Sequence, residues 1–108
     1  MTADWRSSAW AEATQEQDTL ILPLGGVLDS ASRDAIEPTV MAAITSAATV
    51  IVDLGQLTFC DSHGTAMFIA AREKAEAEGT TLSVLNLRPS VRRIFDIAGL
   101  DHVIDLAG

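Results

Sequence analysis

Six residues near the middle of the chain, Thr49-Val-Ile-Val-Asp-Leu54, leave few folds open. A short run that is β-branched and almost wholly apolar matches a central strand covered on both faces, because a strand with one wet face alternates apolar with polar. Helical patterns flank it. Before it, Ile36, Val40, Ile44 and Ala47 recur at i, i+4, i+8 and i+11, with Ser30 or Ser32 as the expected N-cap and Pro38 within the first turns or at a bend. After it, Ser62 to Glu78 places Met67, Ala71 and Ala75 on one stripe beside Phe68 and stops at Gly79.

Further strands complete the alternation. Thr19 to Leu24 reads as a strand in which Pro23 requires an edge position or a ladder break, since proline donates no N–H. Gly25-Gly26 and Asp29-Ser30 mark a loop. Thr81 to Leu87 is a strand, Pro89-Ser90 opens a helix carrying Val91, Ile94, Phe95 and Ala98 before Gly99, and His102 to Leu106 is a closing strand. Trp5 and Trp10 suggest an N-terminal edge strand that turns back near Gln15 to Asp18. Strands alternating with helices imply βαβ units and a largely parallel sheet in the second half, and 108 residues hold one such domain.

Composition narrows the function. Seven basic against fifteen acidic residues leave a net charge of −8, which disfavours nucleic-acid binding and direct association with anionic membranes. The single cysteine, Cys60, excludes an internal disulfide framework and a four-cysteine zinc site. With no signal-peptide core in Met1 to Glu16 and no run near the roughly 20 apolar residues of a membrane span, the expected location is the cytoplasm.

In βαβ folds, functional groups gather at the carboxyl ends of strands. Here that loop holds Cys60-Asp61-Ser62-His63-Gly64. Asp61 or Ser62 is accounted for by capping the helix that follows. A hydrolase would use Ser62 as nucleophile, but Cys60 stands where the nucleophile elbow has its first glycine, and a triad draws its base from a distant residue. His63 and His102, 39 positions apart, give no metal-ligand spacing, and Gly25-Gly26 lacks the rest of a phosphate-binding fingerprint. Cys60 suits buried packing, or reactivity if the helix N-terminus lowers its pKa. Another reading makes Ser62 a phosphoryl acceptor: a helix N-terminus tolerates the roughly −1.5 to −2 charge of a phosphate, and the added charge repels an acidic or apolar partner.

The stretch Asp53-Leu-Gly-Gln-Leu-Thr-Phe-Cys-Asp-Ser-His-Gly64 resembles the signature of STAS domains, in particular bacterial anti-sigma factor antagonists, where a buried strand leads into Asp-Ser-Ser/Thr-Gly and a helix. Gly26-Val-Leu-Asp29 resembles the family's Gly-Glu-Leu-Asp turn, and Pro89 to Leu100 its last helix. The resemblance implies an α/β, STAS-like single domain over 1–108, with a mixed four- to five-stranded sheet and helices packed mainly on one face. It implies a protein that binds rather than catalyses. Its partners would be an anti-sigma factor that is also a serine kinase, which phosphorylates Ser62 and ends the interaction, and a serine phosphatase that restores it. Asp29, Asp61, Ser62, His63 and Gly64 would face the partner; the chain itself needs no cofactor, and ATP and Mg²⁺ belong to the kinase. The chain departs from the family pattern in three places: His63 replaces a second serine or threonine, Gly64-Thr-Ala-Met replaces Gly-Leu-Gly, and Val27 replaces glutamate. They keep open an alternative, a non-phosphorylated STAS subunit or scaffold of a transporter ATPase or signalling assembly.

Overall fold

A ten-residue strand, Thr19–Leu28, is the axis on which the rest of the sheet is assembled. The computed structural model describes residues 9–11, 14–100 and 105–107. Along them the elements run β1 (Trp10–Ala11), β2 (Thr14–Glu16), β3 (Thr19–Leu28), α1 (Ser30–Ser46), β4 (Thr49–Asp53), β5 (Leu57–Cys60), α2 (Ser62–Glu78), β6 (Thr81–Leu85), α3 (Pro89–Ile97) and β7 (Asp105–Ala107). The sheet order is β1–β3–β4–β6–β7, with β2 and β5 also paired to β3. Strands β1 and β2 run antiparallel to β3, whereas every other pairing is parallel. The mixed sheet is thus five strands across but built of seven segments, because β3 is long enough to take two short partners in succession. Parallel neighbours need long crossovers, which the helices supply. Trp5 and the residues 102–104 of the expected closing strand lie outside the described residues.

One face of the sheet is dry. Leu20, Leu22 and Leu24 of β3, Val50 and Val52 of β4, and Leu82 and Val84 of β6 join one buried cluster with Ile36, Val40 and Ile44 of α1, Met67, Phe68 and Ala71 of α2, and Val91 and Phe95 of α3. The Phe68 and Phe95 rings meet at 5.0 Å and 55°, a tilted contact favoured by their quadrupoles. The other face is open: Ile21 is exposed and Ile51 and Ser83, its neighbours in register, are only half-buried. Thr49–Asp53 is therefore central in the sheet but covered by helices on one face, not both. Cross-strand neighbours shield Ile51 enough to favour its β-branched side chain.

Four local readings change. Pro23 is not in an edge strand: it lies opposite Asp53 of β4, and β1 and β2 pair with β3 on either side of it in sequence. Residues 12 and 13, which bear on the expected ladder break, lie outside the described residues. Gly25 and Gly26 belong to β3 rather than to a loop: Gly26 has φ 91° where the register to β5 shifts, and a Cβ on Gly25 would stand 2.6 Å from the Trp10 ring. The cap of α1 is Asp29, not Ser30 or Ser32. Pro38 is the ninth helical residue, beyond the first turns, and lies on the exposed side of a helix that continues to Ser46. Helix α2 ends as expected, with Gly79 left-handed at φ 72° and its N–H donating to the Ala75 and Glu76 carbonyls. Thr80 Oγ1 then donates to the Ile44 carbonyl at 2.8 Å, tying the ends of α1 and α2 together.

Candidate functional site

Strand register makes the site. Leu28, the last residue of β3, pairs with Cys60, the last residue of β5, so the next residues, Asp29 and Asp61, begin α1 and α2 side by side. The Asp61 N–H donates to the Leu28 carbonyl at 3.2 Å and fixes the junction. Residues 32 positions apart in the chain are thereby brought to one end of the sheet.

Both aspartates are N-caps. Asp29 Oδ1 accepts the Ser32 N–H at 3.0 Å while Ser32 Oγ accepts the Asp29 N–H at 2.9 Å, a reciprocal capping box. Ser32 Oγ also donates to the Val27 carbonyl at 2.7 Å, so the cap is bolted to β3. Bonds from the Ser32 backbone and hydroxyl hold the Asp29 carboxyl below its ordinary range. Ser32 had a legible signal, the Asp-x-x-Ser spacing, which places a hydroxyl at the third helical position rather than at the cap.

Asp61 Oδ1 accepts the N–H groups of His63 at 2.9 Å and Gly64 at 3.2 Å, satisfying two of the four donors that a helix start leaves open. Ser62 is the first helical residue and is exposed, and among the described residues its hydroxyl makes no hydrogen bond; its carbonyl accepts from Thr65 Oγ1 at 3.0 Å. The exposed His63 ring sits with Nδ1 3.6 Å from Asp61 Oδ2. It leans on the cap.

Gly64 is buried, and its role is close packing: a Cβ there would stand 2.5 Å from Cys60 Sγ and 3.0 Å from Leu28 Cδ2. It therefore offers no side chain to a partner. Cys60 is buried, and burial first, then the charge of Asp61, pushes its thiol up to about 12. The reactive reading of Cys60 is overturned, since desolvation outweighs any help from the helix N-terminus.

A second set of polar contacts, not apparent in the sequence, secures the loop entering the site. Asp53 Oδ1 accepts the Gly55 N–H at 3.0 Å and Asn86 Nδ2 at 3.1 Å, and Arg88 Nε donates to the Gly55 carbonyl at 2.8 Å. Asn86 adopts φ 59°, a conformation asparagine tolerates better than most residues. Among the described residues no group of three or more His, Cys, Asp or Glu is placed to hold a metal, and no helix is long and apolar enough to cross a membrane.

Comparison with known proteins gives one consistent picture. A family model described as "Mlab, STAS domain" matches residues 11–106. The anti-sigma F factor antagonist of Lysinibacillus sphaericus is 30% identical over 86 residues, covering 78% of this chain and 74% of its own. The anti-sigma-B factor antagonist of Bacillus subtilis is 23% identical over 96 residues, with 89% and 88% covered. Among solved structures, the anti-sigma factor antagonist SpoIIAA in its unphosphorylated form superposes with a TM-score of 0.77 at 25% identity over 92% of this chain and 89% of its own. An anti-sigma factor antagonist from Mycobacterium paratuberculosis shares the fold at a TM-score of 0.81 and 24% identity, with 92% and 85% covered.

Proposed function

Because the chain belongs to the STAS domain family, we propose that it is an anti-sigma factor antagonist that binds an anti-sigma factor acting as a serine kinase and is released when Ser62 is phosphorylated. The observation that carries this reading is the exposed Ser62 hydroxyl on the first residue of α2. A kinase can reach it without unfolding the helix. Asp61 already holds the His63 and Gly64 N–H groups, so a phosphate there meets a carboxylate next door. The new charge, about −1.5 to −2, then projects outward and repels whatever partner had docked, while the positive end of the helix keeps the fold tolerant of it.

In this reading Asp29, Asp61 and His63 form the partner-facing rim and Gly64 lets the rim close on β3 and β5. The protein works by binding, in the cytoplasm, with no turnover and no cofactor of its own; ATP and Mg²⁺ enter with the kinase, and a serine phosphatase resets the switch. A second reading, a non-phosphorylated STAS subunit or scaffold of a transporter ATPase or signalling assembly, is favoured by His63, which stands where the family pattern has a second serine or threonine. Intact-mass measurement after incubation with ATP, Mg²⁺ and candidate anti-sigma kinases separates the two. One phosphoryl group gained by the native chain and absent from Ser62→Ala is the expected result. No transfer by any kinase that binds the chain would give the scaffold reading precedence.

A further inference from the structure

Beside the Ser62 rim, between β5 and the first turns of α3, lies a cavity of about 180 Å³ lined by Thr58, Phe59, Cys60, Ser90, Val91 and Ile94. Phe59 is 52% exposed at its edge, and Ile97, one helical step beyond Ile94 on the same side of α3, is 79% exposed. Large apolar side chains so open to water, on either side of a concave site, mark a contact surface rather than a core defect. The volume falls below the roughly 300–1,000 Å³ of small-molecule sites and suits one side chain of a protein partner.

The charges say which partner. Of the six described cations, three are ion-paired within their own helices: Arg33 with Glu37 at 2.6 Å, Arg72 with Glu76 at 4.0 Å and Lys74 with Glu78 at 3.3 Å. The other three, Arg88, Arg92 and Arg93, begin or lie in α3, and among the described residues none pairs with a carboxylate. Helix periodicity sets Arg93 next to Ser90 and Ile97 on the exposed side of α3, with Asp96, three residues on, as its neighbour and Arg92 farther round. Among the described residues of a chain of net charge −8, the cations without a carboxylate partner are thus gathered on α3, which also carries the exposed Ile97 and faces Phe59 across the cavity.

We infer that the β5–α3 cavity is a docking site for an acidic segment of a partner protein, which seats one large apolar side chain between Phe59 and Ile94 and sets a carboxylate against Arg93. Phe59 lies two residues before Asp61, so this surface is continuous with the Ser62 rim and widens it; the inference stands whether or not Ser62 is phosphorylated. An anchor side chain fixes the position, and the charge contact selects among apolar segments and speeds encounter.

The test uses random peptides displayed on phage, selected on the whole native protein, with the tightest sequence then made synthetically and titrated. Expected are sequences with Asp or Glu within a helical turn of Leu, Ile, Phe or Met, amide shifts confined to Thr58–Cys60 and Ser90–Ile97, and binding weakened tenfold or more by Phe59→Ala and by Arg93→Glu. Arg93→Glu keeps the test sound if Phe59→Ala unfolds, and circular dichroism checks both. Absence of enrichment, peptides without acidic residues, equal binding by the variants, or shifts elsewhere would overturn the inference. So would a native homodimer that Phe59→Ala dissociates in sedimentation, since the occupant would then be a second copy.

Discussion

Replacing Gly64 by alanine sets local preference against tertiary packing, and the two have opposite signs. In the interior of an isolated helix, alanine is favoured over glycine by about 1 kcal/mol. Here the new Cβ would stand 2.5 Å from Cys60 Sγ and 3.0 Å from both Cγ and Cδ2 of Leu28. All three neighbours are in the buried core, and both flanking strands end at this point, so relief requires α2 to move away from the β3–β5 junction. Inserting a methyl group into a packed core costs about 1–3 kcal/mol. The net expectation is a loss of up to about 2 kcal/mol, or several degrees in the melting temperature of a chain of this size. Urea unfolding followed by circular dichroism measures it, and a double-mutant cycle isolates the cause. Cys60→Ala removes the nearest clashing atom, so in the Gly64→Ala background it should cost less than it does alone, with a coupling of at least about 0.5 kcal/mol. A Gly64→Ala variant stabilised by the full helix preference, or a cycle without coupling, would refute the packing role given to Gly64.

Ser62→Asp is expected to leave the circular dichroism spectrum and unfolding midpoint near native while abolishing binding to the anti-sigma kinase; loss of fold together with binding would contradict the surface position of Ser62. Ser32→Ala removes the hydroxyl that bonds Asp29 and the Val27 carbonyl, and should cost about 0.5–2 kcal/mol in chemical unfolding, typical of a lost cap. Cys60, with its thiol raised to about 12 from 9.0, should resist a thiol reagent at pH 8 in the folded protein and react freely in urea. Because the raised thiol stays protonated while the unfolded one ionises, stability should fall as pH rises above 9 toward 12, and Cys60→Ala should flatten that alkaline slope. At the acid end the sign reverses for Asp29: its lowered pKa gives a contribution present above about 3.8 and lost as pH falls through the folded value, a slope that Asp29→Asn should remove in acid unfolding.

What the sequence determined alone is whatever depends on neighbours within a few residues. The helical stripe of Ile36, Val40 and Ile44, the stop at Gly79, the start at Pro89 and the β-branched Thr49–Asp53 all follow from periodicity and backbone chemistry, and each appears where the pattern puts it. The Asp-Ser-x-Gly stretch likewise marked where α2 begins. Other features needed a partner that only folding supplies. Whether a strand is covered once or twice depends on where the helices go, so Ile51 read as fully buried and is not. Gly25-Gly26 read as a loop because its reason to be glycine, the Trp10 ring and a shifted register, lies in other strands. The pairing of Leu28 with Cys60, which sets the two caps side by side, and the cavity between Phe59 and Ile94 join residues more than thirty positions apart. Local rules carry no information across such a distance; the register of β3 does, because one slip would turn its leucines from the dry face to the wet one.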